Sequence, residues 1–181
     1  MEKKEIRKYV FKKRQEMTDE ECTEKSQKIC DSIIQTEAFQ KASCIYVYMD
    51  FRREVCMKPL IEEAWRLGKH VAAPKVFGQE MRYFLIHSYE DVSPGYFGVP
   101  EPKEELEEAF FEEALLIVPG VGFDENRHRC GYGKGFYDRY LSVHTKHKTI
   151  AAAFEFQIVD EVPADEHDVF PQVLMTEKRI I

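Results

Sequence analysis

The sequence predicts an α/β protein: a three-layer α/β/α sandwich of Rossmann-like kind, built on a mainly parallel central sheet. Three observations predict it. Helical and strand patterns alternate along the chain, as they do when helices connect parallel strands. Candidate strands such as Cys44–Met49 and Leu115–Val118 are short, continuous apolar runs, the pattern of strands covered on both faces. The chain has 181 residues, 44% of them hydrophobic, and no linker, repeat or low-complexity tract divides it. Residues 1–181 therefore read as a single domain with one core.

The elements follow in order. Glu2–Gln15 reads as a helix, because Ile6, Val10 and Met17 fall on one narrow apolar stripe. Lys3, Arg7 and Arg14 cluster beside that stripe, at the edge of the buried face, where they can point into a cleft. Thr18-Asp19-Glu20-Glu21 is a capping box, so a second helix starts near Asp19, with Ile29, Ile33 and Ile34 on its buried side. Cys44–Met49, rich in β-branched and aromatic residues, reads as a central strand, followed by a loop at Asp50–Glu54. A helix is expected from Met57 to Leu67, with Pro59 in its first turn and Gly68 as its stop. His70–Ala73 reads as a strand ended by Pro74, and Met81–Ile86 as another. Ser93–Pro102 is rich in turn residues. A short acidic helix is expected before the strand Leu115–Val118. Lys134–Val143 reads as a helix, and Thr149–Phe154 and Val173–Thr176 as late strands. Ligands of such sheets sit outside the carboxyl ends of the strands, which singles out two loops, Asp50–Glu54 and Pro119–Gly135.

Charge narrows the function. The formal net charge is -7, a poor match to the basic footprint of a nucleic-acid binder. No apolar run is long enough to span a bilayer, and the N-terminal segment lacks the apolar core of a secretory signal. Five cysteines, at 22, 30, 44, 56 and 130, form no CxxC and read as reduced thiols of a cytoplasmic protein. The charge is uneven, however. Residues 1–14 carry seven cations against Glu2 and Glu5, and residues 127–148 carry six against Asp138. Two basic islands on an acidic body suggest a compact anion site, although either alone could be a solvated helix face.

The second island holds the chemistry. Val118-Pro-Gly-Val-Gly-Phe-Asp124 is followed by Arg129-Cys-Gly131-Tyr-Gly133-Lys-Gly135-Phe-Tyr-Asp138-Arg139-Tyr-Leu141. Alternating glycines before a helix let the backbone approach a ligand closely, and the helix start offers free N–H groups to phosphate. Lys134 and Arg129 add full charges there. The loop is neither a Walker A motif nor a dinucleotide fingerprint, since His128, Gly135 and Phe136 stand where those patterns need other residues. A bare GxGxG also arises in structural turns, so the specific signal is the whole string.

That string resembles the 5-formyltetrahydrofolate cyclo-ligase family, whose members read P-G-x-x-F-D, a short spacer, then R-L-G-x-G-x-G-Y-Y-D. Other motifs match in order along nearly the whole chain. The basic K-x-x-x-R opening matches Lys3-Lys4-Glu5-Ile6-Arg7. An E-x-x-T-type segment and a G-K-x-V-x-x-P strand match Glu54-Val-Cys-Met and Gly68-Lys-His-Val-Ala-Ala-Pro74. A turn ending E-P matches Gly95–Pro102, and a V-P-x-x-x-x-D element matches Val162–Asp168. Cys130, Phe136 and Met57 depart from the usual Leu, Tyr and Thr, and Phe136 thereby loses a hydroxyl.

The resemblance implies ATP-dependent conversion of 5-formyltetrahydrofolate to 5,10-methenyltetrahydrofolate, with ATP as co-substrate and Mg²⁺ as cofactor. Phosphorylating the formyl oxygen makes it a leaving group, and the substrate's N10 supplies the nucleophile. The protein then needs only to position and neutralise charge. Carried over residue by residue, Lys3, Lys4 and Arg7 match nucleotide contacts, as do Arg129, Cys130, Gly131, Tyr132, Gly133, Lys134, Gly135, Phe136 and Tyr137. Lys134 and Arg129 match the catalytic cations. Met49, Glu54 and residues Tyr132–Phe136 match folate contacts, with Glu54 suited to the pterin's N–H edge. Asp138 and Asp168 match Mg²⁺ positions, with Asp165 as a nearby rival. The partners implied are small molecules, reduced folate and ATP, with no nucleic acid, no membrane and a monomeric state. Two other readings stay open: a phosphosugar-isomerase or CoA-transferase-like enzyme, and a non-catalytic nucleotide- or folate-binding module.

Overall fold

A computed structural model describes residues 1–181. Three helices open the chain: α1 (Lys3–Glu16), α2 (Asp19–Ile34) and α3 (Glu37–Lys41). The capping box at Thr18 forms as its residues predict, since the Thr18 side chain accepts from the Glu21 N–H and the Glu21 carboxylate accepts from the Thr18 N–H. The chain then runs through β1 (Cys44–Tyr46), α4 (Lys58–Arg66), β2 (His70–Phe77) and β3 (Glu80–Ile86). Next come β4 (Val92–Pro94), β5 (Pro100–Pro102), β6 (Leu115–Val118), β7 (Gly122–Phe123) and β8 (Arg129–Cys130). It ends with α5 (Phe136–Val143), β9 (Lys148–Ala152) and β10 (Val173–Met175).

Six strands form one sheet in the order β10-β9-β6-β1-β2-β3, parallel throughout except for the β2–β3 hairpin. Strand alternation divides the core into two faces. Ile45, Val71, Ile117 and Ile150 point toward α2, α3 and α4, and pack with Ile29, Ile33, Phe39, Leu60 and Ile61. Their neighbours Tyr46, Ala72, Leu116 and Ala151 point the other way, onto Phe123 of β7 and Leu141 of α5. Continuous apolar strands are what a sheet covered on both faces requires. At the carboxyl end a third, smaller cluster joins Ile6 and Val10 of α1 to Val121, Cys130 and Val162.

Three expectations need correction. No helix forms before β6. Instead, residues 106–109 lie along the β3 edge, where Leu85 donates to the Glu107 carbonyl and Ala109 donates to the Tyr83 carbonyl, each at 2.8 Å. Covering an open strand edge outweighs the helix propensity of the glutamates. Pro74 does not end β2. The β1 pairing stops at Ala72, so Pro74 needs no N–H on that side and pairs with Tyr83 of β3 on the other. The last helix begins at Phe136 rather than Lys134, because Gly133 and Gly135 hold left-handed backbone with φ of 95° and 69°.

The sheet order creates the site. From β1 the chain crosses through α4 to β2 on one side, and later arrives at β6 on the other. The crevice between the carboxyl ends of β1 and β6 is therefore the topological switch point, where such sheets bind ligands.

Candidate active site

The loops leaving β1 and β6 open on a cavity of about 690 Å³. Its wall on one side is the glycine loop and first turn of α5, residues 131–138. Lys3 and Arg7 of α1 close one end, Met49 and Glu54 border another part, and Pro74, Val76 and Met81 of the hairpin line a further wall. Tyr96 and Phe97, on the turn between β4 and β5, stand at the rim.

Two glycines explain how the loops come so close. Gly122 lies directly under α1, where a Cβ would sit 2.4 Å from Ile6 Cγ2. Gly135 takes the left-handed conformation that turns the loop into α5. Asp124 of the P-G-x-x-F-D string folds the intervening hairpin. Its carboxylate accepts from the N–H groups of Asn126, His128 and Val162 and lies 2.8 Å from His128 Nδ1, with only 1% of the residue exposed. This aspartate is structural.

The cations meet the cavity in different states. Arg7 donates from Nε to the Gly131 carbonyl at 2.8 Å and forms no ion pair. Lys134 makes no hydrogen bond or ion pair, and its ammonium lies 5.7 Å from the centre of the Phe97 ring. Arg129 is buried, donating from Nη2 to Asp138 Oδ1 at 2.8 Å and from Nη1 to the Pro119 carbonyl at 3.4 Å. Its Nε has no partner. Lys3 pairs with Asp168 at 3.0 Å and with Asp165 at 3.3 Å. Burial would raise the Asp168 carboxyl, but the Asp165 N–H and the Lys3 ammonium outweigh it and hold it below the usual range. Asp165 is largely exposed and does not line the cavity, so Asp168 is the better placed of the two.

Glu54 is a buried carboxylate in the cavity wall. Its Oε1 accepts from the Tyr132 hydroxyl at 2.6 Å and its Oε2 from the Phe51 N–H at 2.9 Å. Burial pushes its pKa up, and Arg14, Tyr132 and the Phe51 N–H only partly offset this.

Most residues singled out by the sequence converge here: Lys3, Arg7, Met49, Glu54, Arg129, Gly131–Asp138 and Asp168 all line the cavity. Two side chains do not. Lys4 is exposed on the solvent side of α1, about one 100° helical step from Lys3. Cys130 is fully buried and packs with Ile6 and Val10, because strand alternation turns it away from its neighbour Arg129. Wall and rim residues such as Pro74, Val76, Met81, Tyr96, Phe97 and Glu101 were not foreseen, since only the tertiary fold brings the β2–β3 hairpin and the β4–β5 turn over the site. Arg14 was visible on the α1 wheel, seven residues from Arg7, but its partners were not. All five cysteines are free thiols.

Residues 1–177 match the model of the 5-formyltetrahydrofolate cyclo-ligase family. The chain belongs to this family. It is similar to the 5-formyltetrahydrofolate cyclo-ligase of Escherichia coli strain K12, with 30% identity over 94% of this chain and 98% of the relative. It is 26% identical to a probable 5-formyltetrahydrofolate cyclo-ligase of Caenorhabditis elegans, over 92% and 88% of the two chains. The NMR structure of Aquifex aeolicus 5,10-methenyltetrahydrofolate synthetase superposes with a TM-score of 0.86 at 35% identity, covering 99% of this chain and 92% of that one. Within the cyclo-ligase family fold, then, the cavity at the switch point brings the glycine loop, the α1 cations and a buried glutamate together.

Proposed function

We propose that the protein converts 5-formyltetrahydrofolate and ATP into 5,10-methenyltetrahydrofolate, ADP and phosphate. One observation carries the reading: a single cavity combines a cationic, glycine-rich end with a buried carboxylate flanked by apolar and aromatic side chains. The first suits a polyphosphate and the second a pterin, whose amide and amino N–H groups match Glu54.

The formyl oxygen attacks the γ-phosphorus of ATP, the bond to the β–γ bridging oxygen breaks, and ADP leaves. The lone pair of N10 then attacks the activated formyl carbon. N10 releases its proton to solvent, and the carbon–oxygen bond breaks with inorganic phosphate as leaving group. No protein nucleophile is needed. Lys134, free of other partners, neutralises the transferred phosphoryl group, while Arg7 and Arg129 hold the polyphosphate. Lys3 exchanges Asp168 for a phosphate oxygen.

The residues present also fit Mg²⁺. Asp138 and Asp168 line the same cavity, each with one carboxylate oxygen engaged and the other without a hydrogen bond, and Mg²⁺ is usually held by one or two carboxylates plus phosphates. When bound, the ion adds charge neutralisation on the polyphosphate. No helix is long and apolar enough to cross a membrane, and we take the protein to act as a cytoplasmic monomer on small molecules.

The test mixes protein, 5-formyltetrahydrofolate, Mg²⁺ and ATP, and follows the near-ultraviolet absorbance of the conjugated methenyl product. The expected result is a rise that requires ATP. Ligand binding without turnover, or no signal from folded protein, overturns the proposal.

A further inference from the structure

We propose that Arg14 is a positioning residue for folate recognition: wedged between Gly120 and Tyr132, it orients the Tyr132 hydroxyl so that Glu54 meets the substrate as an acceptor-only carboxylate. This rests on the proposed function.

Arg14 is a charged residue with 2% exposure; its two Nη groups are engaged, while its buried Nε has no partner. It touches no carboxylate directly. Nη1 donates to the Tyr132 oxygen at 2.8 Å and Nη2 to the Gly120 carbonyl at 3.2 Å. A guanidinium can only donate, so the Tyr132 oxygen must accept from it. The single hydroxyl proton is then directed to Glu54 Oε1, 2.6 Å away. The Phe51 N–H occupies Oε2. Both carboxylate oxygens therefore receive donors, and each of these hydrogen bonds is stronger to the ionised than to the protonated form of Glu54. The remaining lone pairs can accept only from a ligand, which matches the adjacent N–H donors of a pterin and excludes an acceptor edge. Tyr132 sits between Gly131 and Gly133, so the relay ties α1 and the glycine loop to the folate end of the cavity.

The charged and titratable groups facing Glu54 are Arg14 from α1, Tyr48 and Asp50 from the β1–α4 connection, Tyr132 from the glycine loop and Tyr137 from α5. Burial raises Glu54 most, Arg14 is the largest opposing influence, and Asp50 acts with burial. Removing Arg14 should therefore move the titration of Glu54 upward.

The experiment compares wild type with Arg14→Met, Arg14→Lys, Tyr132→Phe and the Arg14→Met/Tyr132→Phe double variant, with melting curves for each. The expected result is an about tenfold higher KM for 5-formyltetrahydrofolate in Arg14→Met and in Tyr132→Phe, the size of one lost hydrogen bond. In Arg14→Met the KM for ATP should stay within about twofold, the double variant should be no worse than the worse single one, and Arg14→Lys should recover part of the loss. Carbon NMR of the Glu54 carboxyl, assigned by its absence in Glu54→Gln, should titrate higher in Arg14→Met than in wild type. An unchanged folate KM, an equal rise in both KM values, additive effects or an unmoved Glu54 titration overturns the relay. If Arg14→Met fails to fold, Tyr132→Phe decides by the folate KM and the Glu54 titration. A wild type that folds but makes no product refutes the proposed function instead, and the NMR titration still tests the relay.

Discussion

Arg129 Nη2 and Asp138 Oδ1 lie 2.8 Å apart, and this pair fastens the start of the glycine loop to the first turn of α5. The same carboxylate oxygen accepts from the Val169 N–H at 3.1 Å, so one aspartate joins three chain segments. The arginine is almost wholly buried in the cavity wall, and its Nε is buried without a hydrogen-bond partner. An arginine fixed in the cavity wall by an internal pair suits a site that must stay folded before an anion arrives.

Arg129→Met should therefore damage stability as well as binding. Breaking a buried ion pair from one side leaves the other charge uncompensated, a cost of about 3 kcal/mol. For a chain of this size the melting temperature should fall by roughly 10 °C, and the KM for ATP should rise. A variant that melts like wild type in a thermal scan would show that the pair contributes little.

Lys134→Ala should behave in the opposite way. The side chain is exposed and unpaired, so its removal costs less than about 0.5 kcal/mol. If it neutralises the transferred phosphoryl group, kcat should fall by about 10²–10³. The two predictions form a contrast between neighbouring cations, read by kcat and melting temperature on the same preparations. A wild-type kcat in Lys134→Ala removes the residue from the chemistry.

The Lys3–Asp168 pair makes stability depend on pH at both extremes. Asp168 is held below its usual value, so its contribution is complete above the unfolded carboxyl pKa of about 4 and is lost as pH falls through the folded value. Burial would lower Lys3, but Asp168 and Asp165 outweigh it and raise it. Its contribution is thus complete below the unfolded ammonium pKa of about 10 and is lost as pH rises through the folded value. Urea unfolding of wild type and Lys3→Met should give a stability difference that is flat between roughly pH 5 and 9 and narrows beyond both limits. A difference constant across the whole range would mean that the pair is not formed in solution.

What the sequence made legible was local. The α1 wheel, the Thr18 cap and the alternating glycines each write their geometry within a few residues, so Lys3, Arg7 and Gly131–Gly135 were found where the cavity has them. Strand and helix periodicities also turn the Cys130 and Lys4 side chains away from the cavity, whereas the motif treats adjacent residues as equivalent. The failures were non-local. The glutamates at 104–108 have the propensity of a helix, and only the open edge of β3 explains why they run along it instead. Pro74 reads as a stop until the pairing on its two sides is known. Arg14, Glu54 and Tyr132 are far apart in the chain, and no spacing rule connects them. Their relay exists because β1 and β6 are neighbours in the sheet.

One close approach near the site touches no proposed ligand, and it yields the most discriminating prediction. A Cβ on Gly122 would meet Ile6 Cγ2 at 2.4 Å, and Ile6 is fully buried in the helix that carries Lys3, Arg7 and Arg14. Gly122→Ala must therefore push α1 outward, costing about 1–3 kcal/mol as an overpacked core does, and it should raise the KM for both ATP and folate by displacing three cations together. Ile6→Ala removes the obstructing methyl but opens a void, costing about 2–4 kcal/mol alone. In the double variant the new methyl occupies part of that void, so the combined destabilisation should fall below the sum of the single effects, and both KM values should return toward wild type. Chemical denaturation and steady-state kinetics on the four proteins complete the cycle. Additive destabilisation with no kinetic recovery would mean that α1 is not seated by this contact, and that the cations are aligned by their own partners instead.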